Sequence, residues 1–206
     1  ARPDVDIPVV SNPEFLREGA AIEDFKRPDR IVVGIEDERA RAVMSDVYRP
    51  LYLNQAPLLF TGRRTSELIK YAANAFLATK ITFINEIADL CERLGADVQQ
   101  VAKGVGLDNR IGSKFLHAGP GFGGSCFPKN TMALARIGQD HDAPLRIVET
   151  VIAVNDARKS AMSRKVLRML GADPRGKTVA VLGLTFKPNT DDMREAPSLT
   201  IVRGLL

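Results

Sequence analysis

The sequence has no tryptophan, two histidines and two cysteines. Cys91 and Cys126 lie far apart, which does not favour the disulfide framework of a small secreted domain. His117 and His141 stand alone without a Cys/His cluster, so the zinc signature is missing and we expect no metal site. No apolar run approaches the ~20 residues that a membrane-spanning helix needs, so we expect no membrane association.

The composition is ordinary for a soluble globular protein, with 45% hydrophobic and 26% charged residues. The net charge of +4 and a pI near 9.2 suit an anionic small ligand. A nucleic-acid partner is not expected, because no Lys/Arg run exceeds two residues and no aromatic residues interleave with basic ones. Since no signal peptide opens the chain, we expect a cytoplasmic protein in a reducing compartment.

The chain is organised around Gly119–Asn130, which reads GPGFGGSCFPKN. Four glycines within six residues let the backbone approach a ligand with no Cβ in the way. Cys126 follows directly, and Lys129 lies about one helical turn further on. This pattern indicates a covalent-catalysis site, with a glycine-rich turn before a helix and a small buried cysteine as the alternative.

Strands and helices alternate in the first third of the chain, which favours a parallel α/β sheet. The apolar patterns predict strands over 7–10, 30–35 and 56–60, and helices over 13–25 and 38–52. The second residue of the first helix, Glu14, would then share a face with Glu18. Because the sequence starts without Met and stops inside an apolar helical pattern, we expect a piece of a longer chain.

Residues 64–94 contain neither proline nor glycine, and apolar residues recur at helical spacing. The pattern predicts one helix of ~30 residues, about 45 Å long, acting as a spine between domains or the core of a dimer. Further patterns predict helices over 98–105, 127–139 and 145–170, a strand over 176–186 and a helix from 196.

Several motifs in one order resemble the nucleotide-sugar 6-dehydrogenases. They are NPEFLREG at 12–19, ELIKYAAN at 67–74, GFGGSCFPK at 121–129 and GLTFKP at 183–188. The loop around Cys126 resembles the UDP-glucose branch more than the GDP-mannose or N-acetyl-mannosamine branches.

The resemblance implies an α/β fold with a central all-α dimerisation domain. Residues 1–62 would be the C-terminal part of a Rossmann-like NAD-binding domain, 63–160 the central domain, and 161–206 the start of a UDP-binding α/β domain. The resemblance implies a G-x-G-x-x-G turn for NAD; we expect this spacing to be missing here and the turn to lie outside this sequence. The resemblance also implies a homodimer formed through the long helix, residues 64–94.

The implied reaction oxidises the primary alcohol of UDP-glucose to a carboxylate with two NAD⁺. Cys126 would hold the half-oxidised carbon as a thiohemiacetal and then as a thioester. Lys70 and Asn74 would stabilise the oxyanion. Glu14 would act in a water and hydrogen-bond network and Glu18 as an acid/base.

The resemblance implies further binding residues. For the sugar nucleotide they are Phe15, Leu16, Arg17, Lys70, Asn74, Gly121, Phe122, Gly123, Phe186 and Lys187, with Arg110 reaching into the neighbouring subunit. For NAD they are Glu18, Lys129 and Arg194.

One position departs from the family pattern, which has aspartate where this chain has Asn130. An amide cannot accept a proton at neutral pH, so either the variant is impaired or Glu14 or Glu18 takes over the role. Two alternative functions stay open: oxidation of GDP-mannose, and a non-catalytic dimerisation module formed by these residues alone.

Overall fold

The computed structural model describes residues 5–52 and 56–206, with only the backbone of Tyr52. Residues 1–4 and 53–55, which fall within the predicted first domain 1–62, lie outside the described residues. The chain divides into two compact units, residues 1–73 and 74–206. In the part of the chain that the structure describes, no helix is both long enough and apolar enough to cross a membrane.

The first unit contains a βαβ arrangement. Strand β1 (Ile31–Gly34) pairs in parallel with β2 (Leu58–Thr61), in a register that sets Ile31 opposite Leu58. Helix α2 (Glu38–Tyr52) makes the crossover that parallel pairing requires. All four residues of β1 are buried, which explains its continuous apolar sequence.

The core of this unit forms where α2 covers the sheet. Ile31, Val33, Ile35 and Ala40 are buried, and the partly buried residues packed against them include Met44, Tyr48 and Phe60. The predicted strands over 30–35 and 56–60 and the helix over 38–52 are therefore confirmed within one or two residues.

The helix predicted over 13–25 is wrong. Only α1 (Ala21–Lys26) is helical there. Asn12 does not cap a helix, because its Nδ2 donates to the Val32 carbonyl at 2.8 Å and its Oδ1 accepts from the Tyr48 hydroxyl. The i,i+4 geometry expected for Glu14 and Glu18 is lost with this helix.

The strand predicted over 7–10 is also wrong. Residues 7–10 are unassigned, and Ser11 alone makes an isolated bridge with Gly34. The Ser11 and Gly34 backbones exchange hydrogen bonds of 2.9 and 2.7 Å. This contact ties the segment after Ser11 to the end of β1.

Helix α3 (Arg63–Leu94) begins in the first unit and ends in the second. Its 32 residues span about 48 Å at 1.5 Å per residue. Glu36 Oε1 accepts from the Arg63 N–H at 3.0 Å at its first turn, and Gly95 follows its last residue with φ 69°. The predicted long helix is confirmed.

The second unit is helical around two apolar clusters. After α3 come α4 (Val98–Gly106), α5 (Cys126–Asp140), α6 (Arg146–Leu170) and α7 (Pro197–Arg203). One cluster is built on Ala78, Phe122 and Val151. The other is built on Ile84, Ala102 and Leu116.

The strand predicted over 176–186 does not form. These residues make no ladder, and Val181 and Leu182 are 41% and 95% exposed. An apolar segment becomes a strand only when a neighbour takes its backbone hydrogen bonds, and the described residues offer none. The predicted fold class is otherwise confirmed: a piece of parallel α/β sheet followed by a long-helix domain.

Candidate active site

Cys126 is exposed and is the first residue of α5. Its Sγ lies 3.7 Å from the Ser125 hydroxyl oxygen. The unpaired N–H groups of a helix's first turn favour negative charge nearby, which suits a thiolate or an oxyanion. Cys91, by contrast, is only 5% exposed on α3 and belongs to the core. The two thiols therefore differ sharply in access.

The glycine-rich loop before Cys126 is held at three backbone positions. The Gly119 N–H donates to Asn85 Oδ1 at 2.8 Å. The Phe122 N–H donates to Asn155 Oδ1 at 2.8 Å, and Asn155 Nδ2 donates back to the Phe122 carbonyl at 3.1 Å. The Gly124 N–H donates to the Arg194 carbonyl at 2.8 Å. The loop therefore has a defined shape.

Two of the loop glycines are required by close approach. A Cβ on Gly123 would lie 2.3 Å from the Glu195 carbonyl oxygen. A Cβ on Gly124, where φ is 78°, would lie 2.7 Å from the Phe186 ring. The loop thus packs backbone to backbone against the segment that carries Phe186 and Arg194.

Asp192 holds the conformation of this segment, residues 186–194, through hydrogen bonds. Its carboxylate is 6% exposed and accepts from Arg194 Nε and Nη2 at 2.9 and 2.8 Å. The Phe186 N–H donates to the Asp192 carbonyl at 3.1 Å. Lys187 Nζ lies 5.2 Å from the centre of the Phe186 ring. Phe186, Lys187 and Arg194 are thereby brought beside the glycine-rich loop.

The buried amide side chains of the second unit include two from the sequence-predicted site, Asn74 and Asn130. Asn74 on α3 is 7% exposed, and its Nδ2 has no hydrogen-bond partner among the described residues. Asn130 is 6% exposed and lies one turn after Cys126 on α5. An unpaired buried donor costs free energy until it finds a partner, so Asn74 Nδ2 is able to donate to a ligand.

In the first unit, Lys70 joins Glu14. Lys70 Nζ donates to the Glu14 carbonyl at 2.5 Å and to its Oε1 at 3.1 Å. It also lies 5.4 Å from the centre of the Phe15 ring. The Leu16 N–H donates to Glu14 Oε2 at 2.7 Å. Glu14, Phe15, Leu16 and Lys70 therefore come together.

The other residues of the 12–19 motif are arranged differently. Arg17 pairs through Nε and Nη2 with Asp24, a contact that raises the pKa of Arg17. Glu18 is exposed. The Arg17 side chain is thus held to α1.

Arg110 is 89% exposed and forms a two-pronged pair with Asp108, whose pKa it lowers. Lys80 Nζ donates to the carbonyls of Ile111 and Gly112 at 3.0 and 3.3 Å, which fastens the same loop to α3. Arg110 lies in a loop of its own, and no hydrogen bond or ion pair found among the described residues joins it to the residues around Cys126.

Lys129 and Arg194 have the chemistry to hold a dinucleotide phosphate. Both are exposed cations of the second unit. Gly119, Gly121 and Gly124 do have the G-x-G-x-x-G spacing, which corrects the expectation that this spacing is missing. No strand leads into this loop, however, so it lacks the strand–turn–helix context of a dinucleotide-binding turn.

Sequence reasoning missed the residues that shape the loop: Asn85, Asn155 and Asp192. Asn155 had a detectable signal. It is a polar residue one turn after Val151, a position where the helix pattern calls for an apolar side chain, and it is 4% exposed.

Three models of one family match this chain. They describe the UDP-glucose/GDP-mannose dehydrogenase family: its NAD binding domain over residues 1–52, its central domain over 64–157 and its UDP binding domain over 180–206. The chain therefore belongs to the UDP-glucose/GDP-mannose dehydrogenase family.

Within this family the chain is similar to UDP-glucose 6-dehydrogenases. It is 72% identical over 205 residues to that of Rhizobium meliloti, covering 98% of this chain and 47% of the relative. UDP-glucose 6-dehydrogenase TuaD of Bacillus subtilis is 53% identical, covering 94% of this chain and 41% of the relative. The chain spans about half the length of the curated relatives it matches.

A solved structure gives the same likeness. The UDP-glucose dehydrogenase of the hyperthermophilic archaeon Pyrobaculum islandicum superposes with a TM-score of 0.92 at 49% identity. The match covers 98% of this chain and 46% of that one.

Proposed function

We propose that the complete protein containing this chain is a UDP-glucose 6-dehydrogenase, which converts UDP-glucose to UDP-glucuronate with two NAD⁺. The observation that carries the proposal is the exposed thiol of Cys126 at the start of α5, directly after the glycine-rich loop. The names of the relatives support the substrate, since those at 72% and 53% identity are UDP-glucose 6-dehydrogenases.

The proposed domains follow the family's order. Residues 1–62 end the NAD-binding domain, 63–160 form the central domain, and 161–206 begin the UDP-binding domain. The order in which the three family models match the chain supports this assignment.

Cys126 is the proposed nucleophile. Bound NAD⁺ supplies the hydride acceptor for both oxidations. Between them, the Cys126 sulfur adds to the aldehyde carbon, and the carbonyl oxygen becomes the hydroxyl of a thiohemiacetal. After the second oxidation the sulfur holds a thioester. Water then attacks its carbonyl carbon, the C–S bond breaks, and the carboxylate leaves as the thiol is restored.

Asn74 and Lys70 are the proposed oxyanion donors. The unpaired Nδ2 of Asn74 supports this role, because a buried donor that meets charge only as it develops stabilises the transition state. Lys70 would contribute the cation, and its ammonium also holds Glu14 in place.

Glu14 and Glu18 are the proposed groups for water activation and proton transfer. Asn130 keeps a hydrogen-bonding side chain one turn from Cys126, but it cannot accept a proton. Either thioester hydrolysis is impaired in this protein or a carboxylate elsewhere acts as the base, and the Glu14 side chain, at 56% exposure, is accessible to water.

The remaining proposed contacts follow the family motifs. For the sugar nucleotide they are Phe15, Leu16, Arg17, Gly121, Phe122, Gly123, Phe186 and Lys187, with Arg110 acting in the neighbouring subunit. For NAD they are Glu18, Lys129 and Arg194.

We propose a homodimer that uses α3. Phe76, Phe83 and Leu90 recur every seven residues on this helix and are 67%, 51% and 50% exposed. A second copy would bury this stripe. Light scattering of the complete protein should give a dimer, and Phe83→Asp should shift it toward the monomer. A protein that is monomeric without any substitution would contradict the proposal.

The activity test uses the complete protein. UDP-glucose and NAD⁺ should give two NADH for each UDP-glucuronate, and Cys126→Ser should lower the rate by about 1,000-fold or more. GDP-mannose, supplied in parallel, tests the alternative substrate. No NADH from the complete protein with either sugar nucleotide would contradict the proposed function. The alternative of a non-catalytic dimerisation module concerns residues 1–206 alone, which should form no NADH under conditions in which the complete protein does.

A further inference from the structure

Helix α6 turns three polar residues, Asn155, Arg158 and Lys159, toward the glycine-rich loop. Arg158 Nε donates to the Gly119 carbonyl at 2.5 Å, and its Nη1 donates to the Asn85 carbonyl and to Asp89 at 2.9 Å each. A Cβ on Gly121 would lie 2.9 Å from Asn155 Oδ1 and 3.2 Å from Lys159 Cγ. The loop therefore rests directly on α6.

Asn155 fixes both backbone groups of Phe122. Its Oδ1 accepts the N–H and its Nδ2 donates to the C=O, and both residues are buried. The N–H groups of Gly119 and Gly124 also donate hydrogen bonds to protein acceptors. Pro120 has no N–H. This leaves the Gly121 and Gly123 N–H groups, which have no hydrogen-bond partner in the described part of the chain.

We propose that Asn155 is a positioning residue that presents the Gly121 and Gly123 N–H groups to the sugar nucleotide. The inference rests on the proposed function for the identity of that ligand. By holding Phe122 inward at two atoms, Asn155 sets the peptide planes on either side. It also removes the Phe122 N–H from the set of donors that can reach a substrate.

An asparagine is required because the position needs a donor and an acceptor at once. An amide offers both on one planar group of the right length. One oxygen of an aspartate can accept from the Phe122 N–H, but its other oxygen would face the Phe122 carbonyl oxygen, and two acceptors form no hydrogen bond. Alanine offers neither, and both Phe122 groups are then buried without partners. A role in hydrophobic packing alone would not require asparagine over aspartate at this position.

The test compares Asn155→Ala and Asn155→Asp with Asp140→Asn in the complete protein. Asp140 is an exposed acid at the end of α5 whose ion-pair partner, Arg136, is also exposed, so it is an acid–amide control away from the loop. UDP-glucose and NAD⁺ affinities are measured separately by calorimetry. For Asn155→Ala we expect UDP-glucose to bind about tenfold or more weakly, as the loss of one to two hydrogen bonds implies, while NAD⁺ affinity stays within about twofold.

The Asn155→Asp variant gives a signature that a purely structural role would not produce. A carboxyl at this buried position regains a donor when it is protonated. Burial raises its pKa, while the buried ammonium of Lys159, one turn further on α6, opposes that rise. UDP-glucose affinity should therefore recover toward that of the unaltered protein as the pH falls from about 8.5 to about 5. If Asn155→Ala does not fold, the pH dependence of UDP-glucose affinity in Asn155→Asp tests the proposal in its place.

The proposal is overturned if Asn155→Ala binds UDP-glucose within about twofold of the unaltered protein. It is also overturned if Asn155→Asp shows no recovery at low pH. Amide hydrogen exchange supplies a readout that needs no turnover: Phe122 should exchange about tenfold faster in Asn155→Ala. Should the unaltered protein fail to bind UDP-glucose, the proposed function falls, while undiminished protection of Phe122 in Asn155→Ala would refute the positioning role itself.

Discussion

The ammonium nitrogen of Lys70 lies 2.5 Å from the backbone carbonyl oxygen of Glu14 and 3.1 Å from its carboxylate. The Lys70 side chain is 15% exposed and the Glu14 side chain 56% exposed, so the lysine is largely covered while the carboxylate stays open to water. One cation therefore fixes both the path of the chain at Glu14 and the direction of its side chain.

Replacing Lys70 by glutamine should remove both the proposed oxyanion cation and the restraint on Glu14. We expect kcat of the complete enzyme to fall by about 100-fold or more, the usual scale for loss of one electrostatic or proton-transfer group. Steady-state kinetics with UDP-glucose measure the effect. Lys103→Gln is the control, because Lys103 is an exposed helical lysine. Equal rates for the two variants would remove Lys70 from the mechanism.

Asn130→Asp should raise turnover of the complete enzyme about tenfold or more, because a carboxylate one turn from Cys126 can take a proton from the attacking water. In the unaltered enzyme we expect thioester hydrolysis to be slow and an acylated Cys126 to accumulate. Mass spectrometry of the enzyme quenched during turnover checks this. Matching rates for the two proteins, with no covalent species in either, would show that this position does not supply the base.

Gly123→Ala should destabilise the fold. The added Cβ would meet the Glu195 carbonyl at 2.3 Å, and forced overpacking of this kind costs about 1–3 kcal/mol. Gly119→Ala is the matched control in the same loop, since nothing lies within 4 Å of its Cβ. Thermal or urea unfolding of both variants measures the difference. Equal midpoints would mean that the loop does not pack against Glu195 in solution.

The Lys165–Glu92 pair should contribute to acid sensitivity. The hydrogen bond from Lys165 lowers the pKa of Glu92 in the folded chain. The stability it gives is therefore present above the unfolded pKa, about 4.3, and is lost as the pH falls through the lower folded value. Lys165→Met should lose less stability between about pH 5 and pH 3 than the unaltered protein. Melting curves across this range test the sign, and parallel curves would contradict it.

The fold could be predicted where local pattern and long-range packing agree. Helix α3 follows from 32 residues without glycine or proline, and β1 from an uninterrupted apolar run between polar flanks. Prediction failed at 13–25 because Asn12, Pro13 and Glu14 imitate a helix start. Asn12 does not cap a helix because its side chain forms hydrogen bonds with Val32 and Tyr48. These residues lie 20 and 36 positions further on, and no local pattern reveals them.

The candidate site likewise contains residues whose environment the sequence predicts and residues whose contacts it does not. The exposure of Cys126 and the burial of Cys91 agree with their sequence surroundings, a glycine-rich loop and an apolar helix face. The sequence marks Asn155 as a polar residue at a position where the helix pattern calls for an apolar one, but it does not reveal which loop this side chain contacts. Residues 176–186 have the composition of a strand, but pairing is a property of two segments, and composition describes only one.

The contrast between the two thiols has a practical outcome. Because Cys91 is buried on α3 and Cys126 is exposed, a maleimide dye or spin label should attach to Cys126 and leave Cys91 unmodified. Cys126 therefore provides an attachment site directly after the glycine-rich loop. The fluorescence or paramagnetic relaxation of a label at this site can report ligand binding.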